Sequence, residues 1–203
     1  MPVRLGITNL PDGRAAAPPD IRRIMSRILL GWELGSGLGH VATLLAVARE
    51  LARRGHRPTF ALRNVSEPWP LLASTGYRVF QAPWLRDRPH VTGAKPFRSR
   101  SYADILAYNG FDDPQVLESL VSAWERLLEV IDPDLVIVEH APALRLACFG
   151  RFPTIGIGTG FTVPHLDGEH FPVLNPEAEE LAPSARIASA IRRILDARGI
   201  AAP

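Results

Sequence analysis

The sequence is poor in several features that would restrict its class. It has 203 residues and one cysteine, Cys148, so no disulfide can form within the chain and a reducing cytoplasm is the expected location. Lys95 is the only lysine. With 23 basic and 21 acidic residues the net charge is +2, which is too little positive charge to indicate a nucleic-acid-binding surface. No apolar run approaches the ~18 residues of a membrane-spanning helix. These absences exclude a disulfide-stapled protein, a nucleic-acid-binding protein and a membrane-spanning protein.

The remaining composition is typical of a globular protein. Apolar residues make up 46% and charged residues 22% of the chain, both close to globular averages. Residues 1–26 are rich in turn-forming residues and lack the apolar core of a secretory signal. The sequence therefore predicts a disordered N-terminal extension over 1–26 and one folded domain over 27–203.

Short apolar runs alternate with helical patterns throughout that domain. The runs predict strands at 28–32, 59–62, 77–80, 135–138 and 154–157. Helices are predicted after residue 40, around 71–74, from 114 to 131, within 141–150 and around 187–195, whereas 83–101 has no periodicity. Because parallel strands need crossover connections, the expected fold class is α/β, with a doubly wound, Rossmann-like parallel sheet covered by helices on both faces.

A glycine-rich turn joins the first predicted strand to the first long helix. Glycines bring backbone N–H groups close to a ligand, and the helix N-terminus adds partial positive charge. The same field disfavours a protonated imidazole, so His40 is a candidate general base in its neutral form. The other candidate substrate-binding residues of this turn are Gly35, Ser36, Gly37 and Gly39. The alternative is a turn that only connects the two elements, with His40 as a polar residue of the first helical turn.

Two later turns are expected at the same edge of the sheet, because open α/β sheets bind ligands beyond the carboxyl ends of their strands. Glu139 and His140 end the fourth predicted strand, where the carboxylate suits the task of orienting the His40 imidazole and His140 is a candidate substrate-binding residue. Residues past the fifth strand suit the wall of a substrate pocket, namely Thr159, Gly160 and Phe161. Both turns also have an ordinary structural explanation. Glu139 and His140 can be polar residues that close a strand, and the turn after the fifth strand can be a flexible loop.

The other reactive side chains of the sequence do not point to a particular site. Residues 165–170 combine His, Asp and Glu in no established metal spacing, so no metal is expected. Segment 86–100 has five basic residues against one acidic residue, which suits an anionic acceptor, lipid headgroups or a solvated loop. Cys148 lies among apolar residues and is interpreted as a packing residue.

Three segments together resemble a known family. Residues 28–40 read ILLGWELGSGLGH, and the helix that follows ends in Arg53-Arg54-Gly55-His56. This opening resembles that of GT-B glycosyltransferases, in particular bacterial UDP-glycosyltransferase-like proteins. Residues 132–142 (DPDLVIVEHAP) and 156–161 (GIGTGF) are similar to later landmarks of the same N-terminal domain, so the resemblance covers about residues 27–175.

The resemblance implies an acceptor-binding half of a two-domain enzyme. In inverting members a histidine after the first strand deprotonates the acceptor hydroxyl, and His40 occupies that position. An aspartate at a later strand end orients the histidine, and Glu139 stands there with one methylene more. The implied partners are a small-molecule or lipid acceptor and a nucleotide sugar as co-substrate, with no cofactor and no metal.

The chain ends at Pro203, where the interdomain region of a full enzyme would begin. We therefore expect the C-terminal donor domain to be missing or on a separate chain, and the isolated chain to be a poor catalyst or none. Two alternatives remain: an NAD(P)-binding oxidoreductase domain, because Gly37-x-Gly39-x-x-Ala42 fits the dinucleotide fingerprint, and a non-catalytic acceptor-binding or partner module. The expected location is the cytoplasm, with the surface of the inner membrane as an additional option.

Overall fold

The computed structural model describes residues 25–85, 97–159 and 170–200. Its strands are β1 (Arg27–Trp32), β2 (Arg57–Leu62), β3 (Arg78–Gln81), β4 (Leu135–Glu139) and β5 (Thr154–Ile157). Its helices are α1 (Leu38–Arg53), α2 (Trp69–Leu72), α3 (Tyr102–Tyr108), α4 (Pro114–Ile131), α5 (Pro142–Cys148) and α6 (Ser184–Asp196). The predicted extension lies outside the described residues apart from its last two.

The five strands form one parallel sheet in the order β3-β2-β1-β4-β5. The chain moves outward from β1 to β3 and then returns to place β4 on the other side of β1. Helices of the two halves therefore leave β1 and β4 on opposite faces, which opens a crevice at the carboxyl ends of these strands. The predicted doubly wound α/β fold is confirmed.

Two apolar layers cover the sheet, because successive strand side chains point to opposite faces. Helix α1 packs on one face, where it buries residues that alternate along β1 and β2. Helices α3 to α6 cover the other face. The strand residues of the α1 layer are Ile28, Leu30, Trp32, Phe60, Leu62 and Ile137, and those of the opposite layer are Leu29, Ala61, Val136 and Val138.

A glycine in the middle of β1 lets α5 approach the sheet closely. A Cβ atom placed on Gly31 would lie 2.1 Å from Cδ2 of Leu144 and 3.9 Å from the Trp124 ring. A larger residue at this position would force the Leu144 side chain to move. Gly31 thus allows close packing between β1 and α5, the helix that follows the Glu139–His140 turn.

Helix α3 was not predicted from the sequence. Its start has a capping box, in which the Ser101 hydroxyl accepts from Ala103 N–H and the Asp104 carboxylate accepts from Ser101 N–H. Asp104 is fully buried and also accepts from Leu181 and Ala182 N–H, at 2.7 and 3.2 Å. One carboxylate thus joins α3 to the segment before α6.

Across the described segments, no helix is long and apolar enough to cross a membrane.

Candidate active site

The centre of the site forms where β1 and β4 end side by side. Trp32 of β1 is the register partner of Glu139 of β4, and strand alternation directs both side chains to the face that carries α1. His40 lies in the first turn of α1 on that face. His40 and Glu139, which are 99 positions apart in the chain, therefore meet at this point.

His40 and Glu139 are in contact. The Nδ1 atom of His40 lies 2.6 Å from Oε2 of Glu139, and the side chains are 17% and 6% exposed, respectively. When Nδ1 carries the proton it donates to the carboxylate, which leaves the lone pair of Nε2 available to accept a proton from a ligand. The length of the glutamate side chain therefore does not prevent its contact with the imidazole.

Trp32 supports the imidazole from one side, and sequence reasoning missed this role. Its ring is stacked on His40 with centroids 5.1 Å apart and planes 17° apart. The buried indole is itself fixed, because its Nε1–H donates to the Leu34 carbonyl at 2.6 Å. Alternation along β1, which places Trp32 on the α1 face, is the sequence pattern that would have revealed it.

The glycines of the turn have different surroundings. Gly35 has φ +87°, and a Cβ atom there would lie 2.7 Å from Nε2 of His40 and 3.3 Å from Nδ1 of His140. Gly37 has φ +92°, and a Cβ atom on it or on Gly39 would meet no atom of the described residues within 4 Å. Ser36 is exposed between them. Gly35 thus lies against the imidazole, whereas Gly37 and Gly39 face open space.

His140 lies behind this centre and is only 4% exposed. Its ring centroid is 5.9 Å from that of His40 and 5.9 Å from that of Tyr102. Burial lowers the pKa of His140 to about 4, so the ring is neutral at physiological pH. Its backbone has φ +44°, a left-handed conformation that is rare for a residue with a side chain.

The other predicted site residues are placed only in part. Thr159 is exposed, and Gly158 before it has φ +143°. Gly160 and Phe161 lie outside the described residues, as do most of segment 86–100 and residues 165–169 of the segment rich in metal-binding side chains. Among the residues that the structure describes, no three His, Cys, Asp or Glu side chains form a group that could hold a metal ion.

Cys148 is buried in α5 within the apolar layer. Burial raises the pKa of its thiol to about 12, so the nucleophilic thiolate is essentially absent at neutral pH. This environment agrees with the interpretation of Cys148 as a packing residue.

Comparisons with known proteins bear on the fold. No family model matches the sequence, and no curated protein matches it. The calicheamicin glycosyltransferase CalG4 superposes on 87% of this chain with a TM-score of 0.50 and 18% identity, and 43% of CalG4 is covered. The fold is therefore similar to part of this glycosyltransferase. The predicted resemblance to glycosyltransferases is confirmed at this level.

Two further solved glycosyltransferases give similar superpositions. SsfS6 from Streptomyces sp. SF2575 has a TM-score of 0.49 and 16% identity, with 86% of this chain and 47% of SsfS6 covered. SnogD from Streptomyces nogalater has a TM-score of 0.49 and 16% identity, with 87% and 42% covered. The chain thus spans less than half the length of each of these glycosyltransferases.

Proposed function

We propose that the chain is the acceptor-binding half of an inverting glycosyltransferase that uses a nucleotide-activated sugar, in particular a UDP-sugar. The observation that carries this proposal is the 2.6 Å contact between His40 Nδ1 and Glu139 Oε2 at the carboxyl edge of the sheet. A buried carboxylate that holds an imidazole by one nitrogen prepares the other nitrogen for proton transfer. The fold shared with CalG4 supports glycosyl transfer as the reaction.

In the proposed reaction, Nε2 of His40 takes the proton of an acceptor hydroxyl. The hydroxyl oxygen forms a bond to the anomeric carbon of the sugar, on the face opposite the leaving group. The bond between that carbon and the diphosphate oxygen breaks, and the nucleoside diphosphate leaves with the electron pair. Glu139 stabilises the imidazolium that forms, because its carboxylate accepts from Nδ1–H.

The acceptor would enter beside Gly35, where a side chain would compete with it for the space next to Nε2 of His40. Ser36, Thr159 and the predicted wall residues Gly160 and Phe161 are further candidates for contact with it. Small molecules and lipids that carry a hydroxyl group both fit this chemistry. Contacts to the donor would come from a second half, and without them the residues described here would bind the acceptor but catalyse transfer poorly.

The dinucleotide-binding alternative finds less support. The first strand ends at Trp32, and the first glycine of the fingerprint comes five residues later. Arg63, the candidate for a 2′-phosphate contact, donates from its guanidinium to the Glu33 carbonyl at 3.1 Å and lies over the Trp84 ring. The remaining alternative, a non-catalytic binding module, has the same acceptor site and differs only in the absence of turnover.

The test is sugar transfer by this chain mixed with a donor-domain chain of a UDP-glycosyltransferase, measured as release of nucleoside diphosphate with a panel of hydroxyl acceptors. His40→Gln keeps a polar side chain but removes the base, so we expect turnover to fall by about 100-fold or more. His56→Gln is the matched control, because His56 lies at the opposite edge of the sheet, before β2, where it contacts Ser26 N–H.

Equal activity of the wild type and His40→Gln would remove His40 from the role of base. Acceptor binding without transfer in every mixture would favour the non-catalytic module.

A further inference from the structure

Glu33 is a buried carboxyl group that the proposed reaction does not use. It follows β1 directly and is 1% exposed. Strand alternation directs it away from His40, to the face that carries α5. There its Oε2 atom accepts from the N–H groups of Ala143 and Leu144, at 3.0 and 3.2 Å. One oxygen thus binds two N–H groups in the first turn of α5.

The two N–H groups lie just after a strained turn. His140 has φ +44°, and a residue with a side chain keeps a left-handed conformation only where its surroundings enforce it. On one side the carbonyl of His140 accepts from Leu34 N–H at 2.9 Å. On the other side Glu33 binds Ala143 and Leu144. Glu33 and Leu34 are neighbours in the chain, and together they bind the turn at His140 and at the start of α5.

This turn immediately follows Glu139, whose carboxylate contacts His40. If the turn relaxed toward ordinary backbone angles, the end of β4 would shift and the carboxylate would move relative to the imidazole. We propose that Glu33 is a positioning residue. By binding the start of α5 it holds the His140 turn and keeps Glu139 against His40. This inference rests on the proposed function of His40 as base.

Glu33 has no access to a substrate, so it acts only through its neighbours. Burial raises its pKa to about 8, so at neutral pH it is mainly the uncharged acid. A carboxylic acid still offers its carbonyl oxygen, so Oε2 can accept from both N–H groups in that state. The groups that face it include Trp124, Arg63 and Tyr102.

The test compares Glu33→Met with Glu33→Gln in the full chain. Methionine fills the volume but accepts no comparable hydrogen bond, whereas the glutamine oxygen can accept from both N–H groups. The readout is the tautomer of the His40 imidazole, measured by ¹⁵N NMR on isotope-labelled protein with all variants at the same pH. An imidazole held by Glu139 is protonated at Nδ1, whereas an unrestrained neutral imidazole favours the form protonated at Nε2.

We expect the Nδ1–H form to dominate in the wild type and Glu33→Gln, and a mixture of both forms in Glu33→Met. Glu139→Met, which offers no comparable acceptor to Nδ1–H, serves as the reference for a lost contact. Asp104→Ala serves as the structural control, since it removes another buried carboxylate that binds four N–H groups elsewhere. It should lower stability and leave the tautomer of His40 unchanged. In the mixed-chain assay, Glu33→Met should lower kcat about 10-fold to 100-fold with KM unchanged.

An unchanged tautomer in a folded Glu33→Met protein would overturn the proposal. So would a changed tautomer in Glu33→Gln, which would assign the effect to the acidic proton rather than to the two N–H contacts. The NMR readout needs no sugar transfer. If His40→Gln leaves turnover intact, the proposed role of His40 as base fails, whereas the tautomer result still decides whether Glu33 positions the pair.

Discussion

Gly35 lies next to Nε2 of His40, the atom on which the proposed chemistry depends. A Cβ atom there would lie 2.7 Å from Nε2 of His40. We expect Gly35→Ala to lower turnover about 100-fold, because the methyl group displaces the imidazole or blocks the hydroxyl that should reach it. The measurement is the rate of transfer in the mixed-chain assay, together with the free energy of unfolding in urea.

Gly76→Ala is the matched control for this change. Gly35 and Gly76 both have positive φ, +87° and +73°, so both alanine variants should lose about 1–3 kcal/mol of stability. A Cβ atom on Gly76, which lies before β3 and outside the candidate site, would face open space, so its variant should keep the wild-type turnover. Equal losses of activity in the two variants would mean that backbone strain, and not access to Nε2, is responsible.

Glu33 should also make the stability of the fold depend on pH. Its pKa is about 8 when buried, against an ordinary value of 4.5. Between these two values the unfolded state releases a proton that the folded state keeps, so the free energy of unfolding falls as the pH rises. The full effect is on the order of 5 kcal/mol, from one pKa unit being about 1.4 kcal/mol. Glu33→Gln has no such proton and should avoid this fall.

The measurement is urea denaturation of wild type and Glu33→Gln at about pH 5 and about pH 8, because most of the expected loss of wild-type stability falls between these two pH values. The variant should gain stability relative to the wild type at the higher pH. His140 has the opposite effect, because its pKa of about 4 favours the unfolded state as the pH falls below 6.5. Both proteins share His140, so its effect cancels in the comparison. A difference that does not change with pH would contradict the prediction.

Among the elements, α3 shows how a capping residue can join distant segments. Asp104 is fully buried and accepts from N–H groups of residues 100, 101, 181 and 182. We expect Asp104→Ala to lower the free energy of unfolding by about 3 kcal/mol or more, because it leaves several buried donors unpaired. Asp113→Ala is the control: Asp113 caps α4 through two N–H groups at a partly exposed position and should cost about 1 kcal/mol.

Urea denaturation of both variants distinguishes the two roles. Equal costs would show that Asp104 acts only as a local cap of α3. A larger cost for Asp104 would show that the contact with residues 181 and 182 stabilises the fold.

The elements also show what the sequence can and cannot predict. Continuous apolar runs predicted β1 and β4 because buried parallel strands need apolar residues at both faces. The run at β5 was also predicted correctly, although this edge strand has no buried residue. The start of β1 was placed one residue late, since the Arg27 N–H group that extends it pairs with Asp134, 107 residues away. Helix α3 was missed because it is short and its capping box follows a segment without periodicity.

The same limit applies to the site. His40 and Glu139 were predicted from chemistry at strand ends, but the pairing of Trp32 with Glu139 depends on the register of β1 and β4. The support given by Trp32 and Glu33 follows only once the faces of the sheet are assigned. The pattern of one strand does not identify its partner residue on a strand that is far away in the chain, so the structure was needed to assign this register. The sequence therefore predicted the members of the pair and missed the residues that hold them.

For the molecule as a whole, Cys148 reports on the integrity of the fold. The thiol is buried beside β5, and its pKa of about 12 leaves little thiolate at neutral pH. We expect iodoacetamide to leave Cys148 unmodified in the native protein and to modify it fully in denaturant, as measured by intact mass. The chain has no other cysteine, so the mass change has one source. Rapid modification without denaturant would show that α5 opens locally in the native state.

The parallel pairing of β1 with β4 has a consequence for any assay of this protein. A slip of one residue between the two strands would turn Glu139 to the opposite side of the sheet, because strand side chains alternate with a period of two. A misregistered molecule would keep most of its secondary structure and lose the imidazole–carboxyl contact altogether. A probe that needs both side chains, such as a ligand or the resonance of the His40 ring, therefore counts correctly aligned molecules, whereas circular dichroism would count every folded one.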